Sequence, residues 1–161
     1  MNGTHGSQAT WEVLFTQVFA SFAALTGNTY IKLASDDGAA FTSTPGVGTL
    51  RGDVRIGGHP IDGNFGVLGY NFFPNGGDMV LDTDDSTFYG NTSNNSIRLR
   101  NVIAHEHGHG LAFSHVCPID QTKLMAPFVS TAFDGLQLDD TLAGNRGYGD
   151  SLEPNDTSGA A

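Results

Sequence analysis

The run His105-Glu106-His107-Gly108-His109-Gly110-Leu111-Ala112-Phe113-Ser114-His115 carries residue types at a spacing suited to metal chemistry. On a helix, His105 and His109 lie one turn apart and project from the same face, so both imidazoles can reach one ion with Glu106 beside them. A helix that simply continued would carry His115 well off that face, so the chain must turn sharply after Leu111. Three neutral imidazoles leave the fourth tetrahedral position of zinc to water, the open arrangement of a catalytic metal rather than a structural one. Glu106 is then placed to act as the general base that takes the water's proton. His107, about 200 degrees around the helix from His105, points elsewhere and is not read as a ligand. Gly110 is placed to absorb part of that turn.

These residues need elements to hold them. From Ala9 to Thr26 the apolar residues Trp11, Leu14, Phe15, Val18, Phe22 and Leu25 recur every three or four positions, which predicts an amphipathic helix stopped by Gly27. Tyr30 to Leu33 and Asp53 to Ile56 read as short strands, separated by a loop rich in Gly, Ser, Thr and Pro. The order helix, strand, loop, strand predicts a mixed sheet packed on the first helix. Between Ile56 and Asp82 glycines crowd together with acidic residues at their margins, and such a segment cannot build a hydrophobic face of its own. Calcium can pin loops of this kind, because it takes six to eight oxygens from carboxylates and from carbonyls that sharply turning chain aims inward. Gly66 to Phe73 alternates as an edge strand should if a second backbone is to lie beside it. Asn95 or Ser96 is a candidate cap for a helix starting at Ile97, anchored by Ile97, Val102 and Ile103 and ending in the histidine run. A short helix from about Asp139 to Arg146, with Asp139 as its cap, closes the fold.

The chain has 161 residues, 39% hydrophobic, with 22 glycines and 17 acidic against 7 basic residues, for a formal charge of -10. This length predicts one domain with a single core. An acidic field disfavours nucleic acid and anionic membrane surfaces, and it suits divalent cations. No run is long and apolar enough to span a membrane. Cys117 is the only cysteine, so no intrachain disulfide forms; it reads as a small buried residue in the loop after His115 and not as a ligand. Residues 1–8 read as a flexible N-terminus and residues 150–161 as a polar tail or linker.

Several stretches together resemble one known family. The histidine run matches the metzincin pattern H-E-x-x-H-x-x-G-x-x-H at His105, Glu106, His109 and His115, with Ala112 in place of the glycine. Leu124-Met125-Ala126-Pro127 resembles the Met-turn of the matrixins, the relatives of the matrix metalloproteinases, and Leu138-Asp139-Asp140 with Gly147-Tyr148-Gly149 resembles their closing helix. Pro60-Ile61-Asp62-Gly63, Gly66-Val67-Leu68, Gly77-Asp78 and Leu81 to Asp85 resemble their calcium loops and substrate-side strand in the same order. The resemblance covers about residues 9–149.

It implies an α+β zincin fold with a mixed, mostly parallel twisted sheet, two long helices, a Met-turn with Met125 beneath the metal, and a short C-terminal helix. It implies a secreted or extracellular zinc endopeptidase, monomeric, acting on protein or peptide. Rival readings are a calcium-stabilised zinc-binding module without turnover and a zinc amidase on non-peptide substrates. The substrate cleft would be lined by Val67, Leu68, Gly69 and Tyr70 on one side and by Pro127, Phe128 and Val129 on the other. One calcium would be held by Asp62, Asp82 and Asp85 with carbonyls of Gly63, Phe65 and Val67, and a second by Asp53 and Asp78. The resemblance also predicts a loss: Tyr70 and Val80 stand where the family has histidine ligands of a structural zinc, and His59 alone cannot hold one.

Overall fold

In the computed structural model, which describes residues 7–41, 46, 50–117 and 120–149, the chain forms an α+β domain. In chain order the elements are α1 (Gln8–Thr26), β1 (Ile56–His59), β2 (Gly69–Asn71), β3 (Met79–Asp82), α2 (Ser86–Tyr89), α3 (Ser93–Gly110) and α4 (Leu138–Tyr148). The sheet has the order β1-β3-β2. β1 runs parallel to β3, with Ile56 opposite Met79, and β2 runs antiparallel to β3, with Tyr70 opposite Val80.

The first helix forms as its periodicity requires. Leu14, Phe15, Val18 and Phe22 are buried along one stripe, and Gly27 takes a left-handed φ of 68° and returns its N–H to the Ala23 carbonyl. That stripe meets α3 and α4, where Leu99, Val102, Ile103 and Ala104 complete the core with Met79 and Leu81 from the central strand. Burying each large apolar side chain in this layer contributes about 1.5–3 kcal/mol. Every residue of β3 is buried, so it is the sheet's interior strand, covered on both faces.

The strands are shorter than expected. Tyr30 to Leu33 has no strand pairing, and Tyr30 instead turns its ring inward against Phe19 and His107. β1 begins at Ile56, where the expected strand ended, and the Arg55 N–H just before it goes to the Asp78 carboxylate at 3.0 Å rather than to a strand partner. Only Gly69–Asn71 of the segment from Gly66 to Phe73 pairs with β3. Neither Asn95 nor Ser96 caps α3 through its side chain. Asn94, Asn95 and Ser96 hold left-handed backbone angles, and the regular helix starts after them. The carbonyls of Asn94 and Asn95 accept from the Arg100 guanidinium.

The closing helix is longer than expected and is capped by Gln137 and Asp140 rather than by Asp139. Asp139 pairs with Lys123 at 3.1 Å. Asp140 is buried, which with the neighbouring Asp139 pushes its carboxyl up to about 6 despite the hydrogen bond from the Gln137 N–H. The first helix begins at Gln8, inside the segment expected to be a free terminus. The remainder of that segment, residues 1–6, and the expected tail, 150–161, lie outside the described residues.

Candidate metal centre

α3 carries the site. Its one-turn spacing brings the Nε2 atoms of His105 and His109 to 3.1 Å, and His115 adds a third Nε2 at 3.2 Å from each. A tetrahedral ion at 2.0–2.1 Å from each nitrogen separates its ligands by about 3.3 Å, so this triangle fits zinc. The outer nitrogens set the tautomer. His105 Nδ1 donates to the Leu124 carbonyl and His109 Nδ1 donates to the Phe113 carbonyl, each at 2.7 Å, which leaves the Nε2 lone pairs facing one another. Burial pushes His105 down to about 4 and also lowers His109, so both rings stay in the neutral form that a metal requires. Among the described residues these three histidines are the one group whose ligand atoms all lie within 4.8 Å of one another.

The bend that delivers His115 is a Schellman-type helix end. The Phe113 N–H returns to the Gly108 carbonyl and the Ala112 N–H to the His109 carbonyl, both at 2.9 Å. Ala112 takes the left-handed angle itself, with φ 70°, while Gly110 remains helical and takes no part of the turn. Gly110 is small for another reason: a Cβ there would lie 2.9 Å from the Asn71 amide. Gly108 likewise leaves room for Met125, whose sulfur would sit 2.7 Å from a Cβ at that position. Met125 is buried under the histidine helix, and the Val116 N–H bonds its carbonyl at 3.0 Å, closing the loop after His115 onto the turn. Gln137 holds the same turn from α4, accepting the Leu124 N–H and donating to the Thr122 carbonyl.

Glu106 is buried, and that burial pushes its carboxyl up to about 7. It lies against β2, where a Cβ built on Gly69 would be 3.5 Å from Glu106 Cγ. Among the described residues β2 is bonded to β3 on one side and is the last strand of the sheet, and it packs against α3. Val67 is exposed and Leu68, Gly69 and Tyr70 are half-buried; Pro127 and Phe128 are exposed, while Val129 packs on the core. Phe73, just beyond β2, sets its exposed ring 5.5 Å from that of His109.

The acidic loop residues converge more loosely. Asp82 accepts the N–H groups of Ile61, Asp62 and Asp84; burial would raise its carboxyl, but these bonds outweigh it and hold it below the usual range. Asp85 Oδ1 accepts from Phe65, its Oδ2 is buried with no partner among the described residues, and Asp62 accepts from Val67. Phe65 and Gly63 both take positive φ to bring the loop around. Asp78 is committed elsewhere. Its two oxygens take the Arg55 side chain, at 2.7 and 3.3 Å, while Asp53 is exposed. His59 Nε2 lies 3.3 Å from the Tyr70 hydroxyl. Cys117 is exposed, contrary to the expectation of a buried residue, and stands outside the three-histidine group.

Two contributors escaped the sequence reading. Asn101, one turn before His105, donates to the Ser130 and Phe133 carbonyls and accepts the Gly135 N–H, tying the segment beyond the Met-turn to the ligand helix. Its signal was a polar residue on an otherwise apolar helix face. His107 is 1% exposed and hydrogen-bonded to Tyr30; burial pushes it down to about 3.

The chain is similar to known proteins over part of its length. Over 72 residues, 43% of this chain, it is 39% identical to matrix metalloproteinase-16 of Rattus norvegicus and of Homo sapiens. Over 74 residues, 44% of the chain, it is 35% identical to matrix metalloproteinase-25 of Mus musculus. The aligned part spans 12% of each of these relatives. A family model described as Matrixin matches residues 50–149, which contain β1 to β3, the histidine run, the Met-turn and α4. This chain therefore belongs to the matrixin family of zinc-dependent metalloproteases.

Proposed function

We propose that the chain is the catalytic domain of a zinc endopeptidase in which Glu106 is the general base. The observation that carries this reading is the triangle of Nε2 atoms beside a buried carboxylate and an open strand edge. His105, His109 and His115 would hold the ion, which when bound supplies Lewis-acid polarisation of a carbonyl and a more acidic water. Glu106 takes the proton of the attacking water and passes it to the leaving amide nitrogen, so no covalent intermediate is needed. The edge from Val67 to Tyr70 aligns an extended peptide by strand addition, which gives affinity through main-chain bonds and leaves alternate side chains to pockets.

Pro127, Phe128 and Val129 form the wall for the substrate residue just after the cut. Valine leaves that pocket apolar and open, and burial at about 25 cal/mol per Å² favours Leu, Met or Phe there, while the chain's charge of -10 disfavours acidic residues. Asp62, Asp82 and Asp85, with carbonyls from Gly63, Phe65 and Val67, hold one calcium; the buried, unpartnered Asp85 oxygen is the feature that calls for a cation. Asp78, paired with Arg55, is not enlisted for a second. We place the protein among secreted enzymes acting on protein substrates.

The test is metal content together with digestion of an unbiased peptide library by wild type and Glu106→Ala. One zinc per chain in both, with cleavage before large apolar residues in wild type alone, is the expected result. Full activity in Glu106→Ala removes the base assignment, zinc without cleavage of any peptide makes the chain a binding module, and turnover of non-peptide amides alone makes it an amidase.

A further inference from the structure

We propose that Gln137 is a positioning residue for the metal: from the start of α4 it fixes Leu124, whose carbonyl orients the ligand His105. The proposal rests on the reading of the three histidines as zinc ligands and is independent of whether the loaded protein cleaves peptides.

Each link is a hydrogen bond between named atoms. Gln137 Oε1 accepts the Leu124 N–H at 3.0 Å, and the Leu124 carbonyl accepts the proton of His105 Nδ1 at 2.7 Å. Gln137 Nε2 donates to the Thr122 carbonyl at 3.0 Å, so one planar amide grips the turn with both its acceptor and its donor and cannot rotate without losing the two together. The other end is held as firmly. The Gln137 N–H donates to Asp140 Oδ2 at 2.9 Å, and the Gln137 carbonyl accepts both the N–H and the hydroxyl of Thr141 at 3.0 Å.

The turn that Gln137 grips serves two of the three histidines. Leu124, Met125 and Ala126 are buried, and the Ala126 N–H closes the turn on the Lys123 carbonyl at 3.2 Å. Leu124 directs His105, and the Met125 carbonyl accepts the N–H of Val116, the residue after His115, at 3.0 Å. His109 takes its direction elsewhere, from the Phe113 carbonyl at the end of its own helix. A fault at Gln137 therefore reaches His105 and leaves the outer nitrogen of His109 undisturbed. Lys123 makes a second tie between the turn and α4, to Asp139 at 3.1 Å, but that pair is partly exposed and joins two side chains rather than gripping the turn's backbone.

The experiment measures zinc affinity by chelator competition, and the histidine Nδ1–H signals by nitrogen-15 NMR, in wild type, Gln137→Leu, Gln137→Glu and Lys123→Met. Removing a group bonded directly to a zinc ligand weakens binding about 10- to 100-fold, so Gln137→Leu, one residue further out, should weaken it about three- to tenfold. The same variant should move the His105 Nδ1–H signal and leave that of His109 in place. Gln137→Glu keeps an oxygen for the Leu124 N–H and should recover part of the affinity and of the signal, while Lys123→Met should change neither. Should Gln137→Leu not fold, Gln137→Asn, a good helix cap whose amide is one methylene too short for Leu124, takes its place. Wild-type affinity in the folded variant, or His105 and His109 signals that move together, overturns the proposal. A wild type that holds no zinc fails the metal reading instead, and the metal-free signals then decide: a His105 signal moved in Gln137→Leu and restored in Gln137→Glu upholds the proposal, and an unmoved one ends it.

Discussion

At the residue scale, Ala112 is the clearest departure from a comfortable backbone. It holds φ 70° at the end of α3 because the Gly108 and His109 carbonyls are closed by Phe113 and Ala112 itself, and no neighbouring glycine relieves it. The left-handed region costs an L-residue about 1–2 kcal/mol, so Ala112→Gly should stabilise the protein by about 1 kcal/mol. That shift is readable as a rise of a few degrees in Tm, and unchanged or lowered stability would show that the strain is absorbed elsewhere. The histidines make a second prediction. Protons compete with zinc for Nε2, so metal affinity weakens as pH falls. Burial lowers His105 to about 4 and lowers His109 as well, so proton competition at these two ligands sets in at more acidic pH than for free imidazoles. Zinc affinity measured against a competing chelator should therefore fall less from pH 7 to pH 6 than three ordinary histidines of pKa about 6.5 would give. A fall as steep as theirs would contradict the burial of these rings.

At the element scale, β1 and the loop before it are held by an ion pair rather than by apolar packing. Arg55 and Asp78 side chains are 9% and 2% exposed and meet at 2.7 Å, and the same guanidinium donates to the Ala39 and Ala40 carbonyls and lies 5.0 Å from the Phe41 ring. Removing one partner of a buried pair leaves an uncompensated charge and costs about 3–5 kcal/mol. Asp78→Asn should lower stability by about that much in urea unfolding, whereas Asp36→Asn, on the exposed partner 3.9 Å from the same Arg55, should change it by less than about 1 kcal/mol. Equal losses would mean that the Arg55–Asp78 pair carries no special weight. The guanidinium supplies, at Asp78, the positive charge that a second calcium was expected to bring.

For the whole molecule, the sheet among the described residues is small, three strands of three or four residues, and glycine-rich segments lie between them. Such a domain gains from a cation that binds the folded state alone. Calcium at a hundredfold excess over its dissociation constant should add about 2.7 kcal/mol, seen as a Tm that falls on selective calcium removal and returns on its addition, with the gain lost in Asp85→Asn. A Tm indifferent to calcium would leave the loop held by the N–H bonds to Asp62, Asp82 and Asp85 alone. Among the described residues no helix is long and apolar enough to cross a membrane.

The sequence by itself determined that His105 and His109 share a helix face and that the first helix forms and stops at Gly27, because each follows from local spacing: one helical turn between the two histidines and a three-to-four-residue apolar period to Gly27. Only the tertiary structure decided which polar groups meet across the fold. Nothing local distinguishes Asp78, which pairs with Arg55, from Asp85, which keeps a buried oxygen free, and the strand pattern at Tyr30 gave no hint that its ring would reach a histidine 77 positions away. Apolar burial leaves a periodic trace along the chain because one face must be covered as a unit, whereas a buried hydrogen bond is made between two atoms, and its partner is chosen by packing between distant segments.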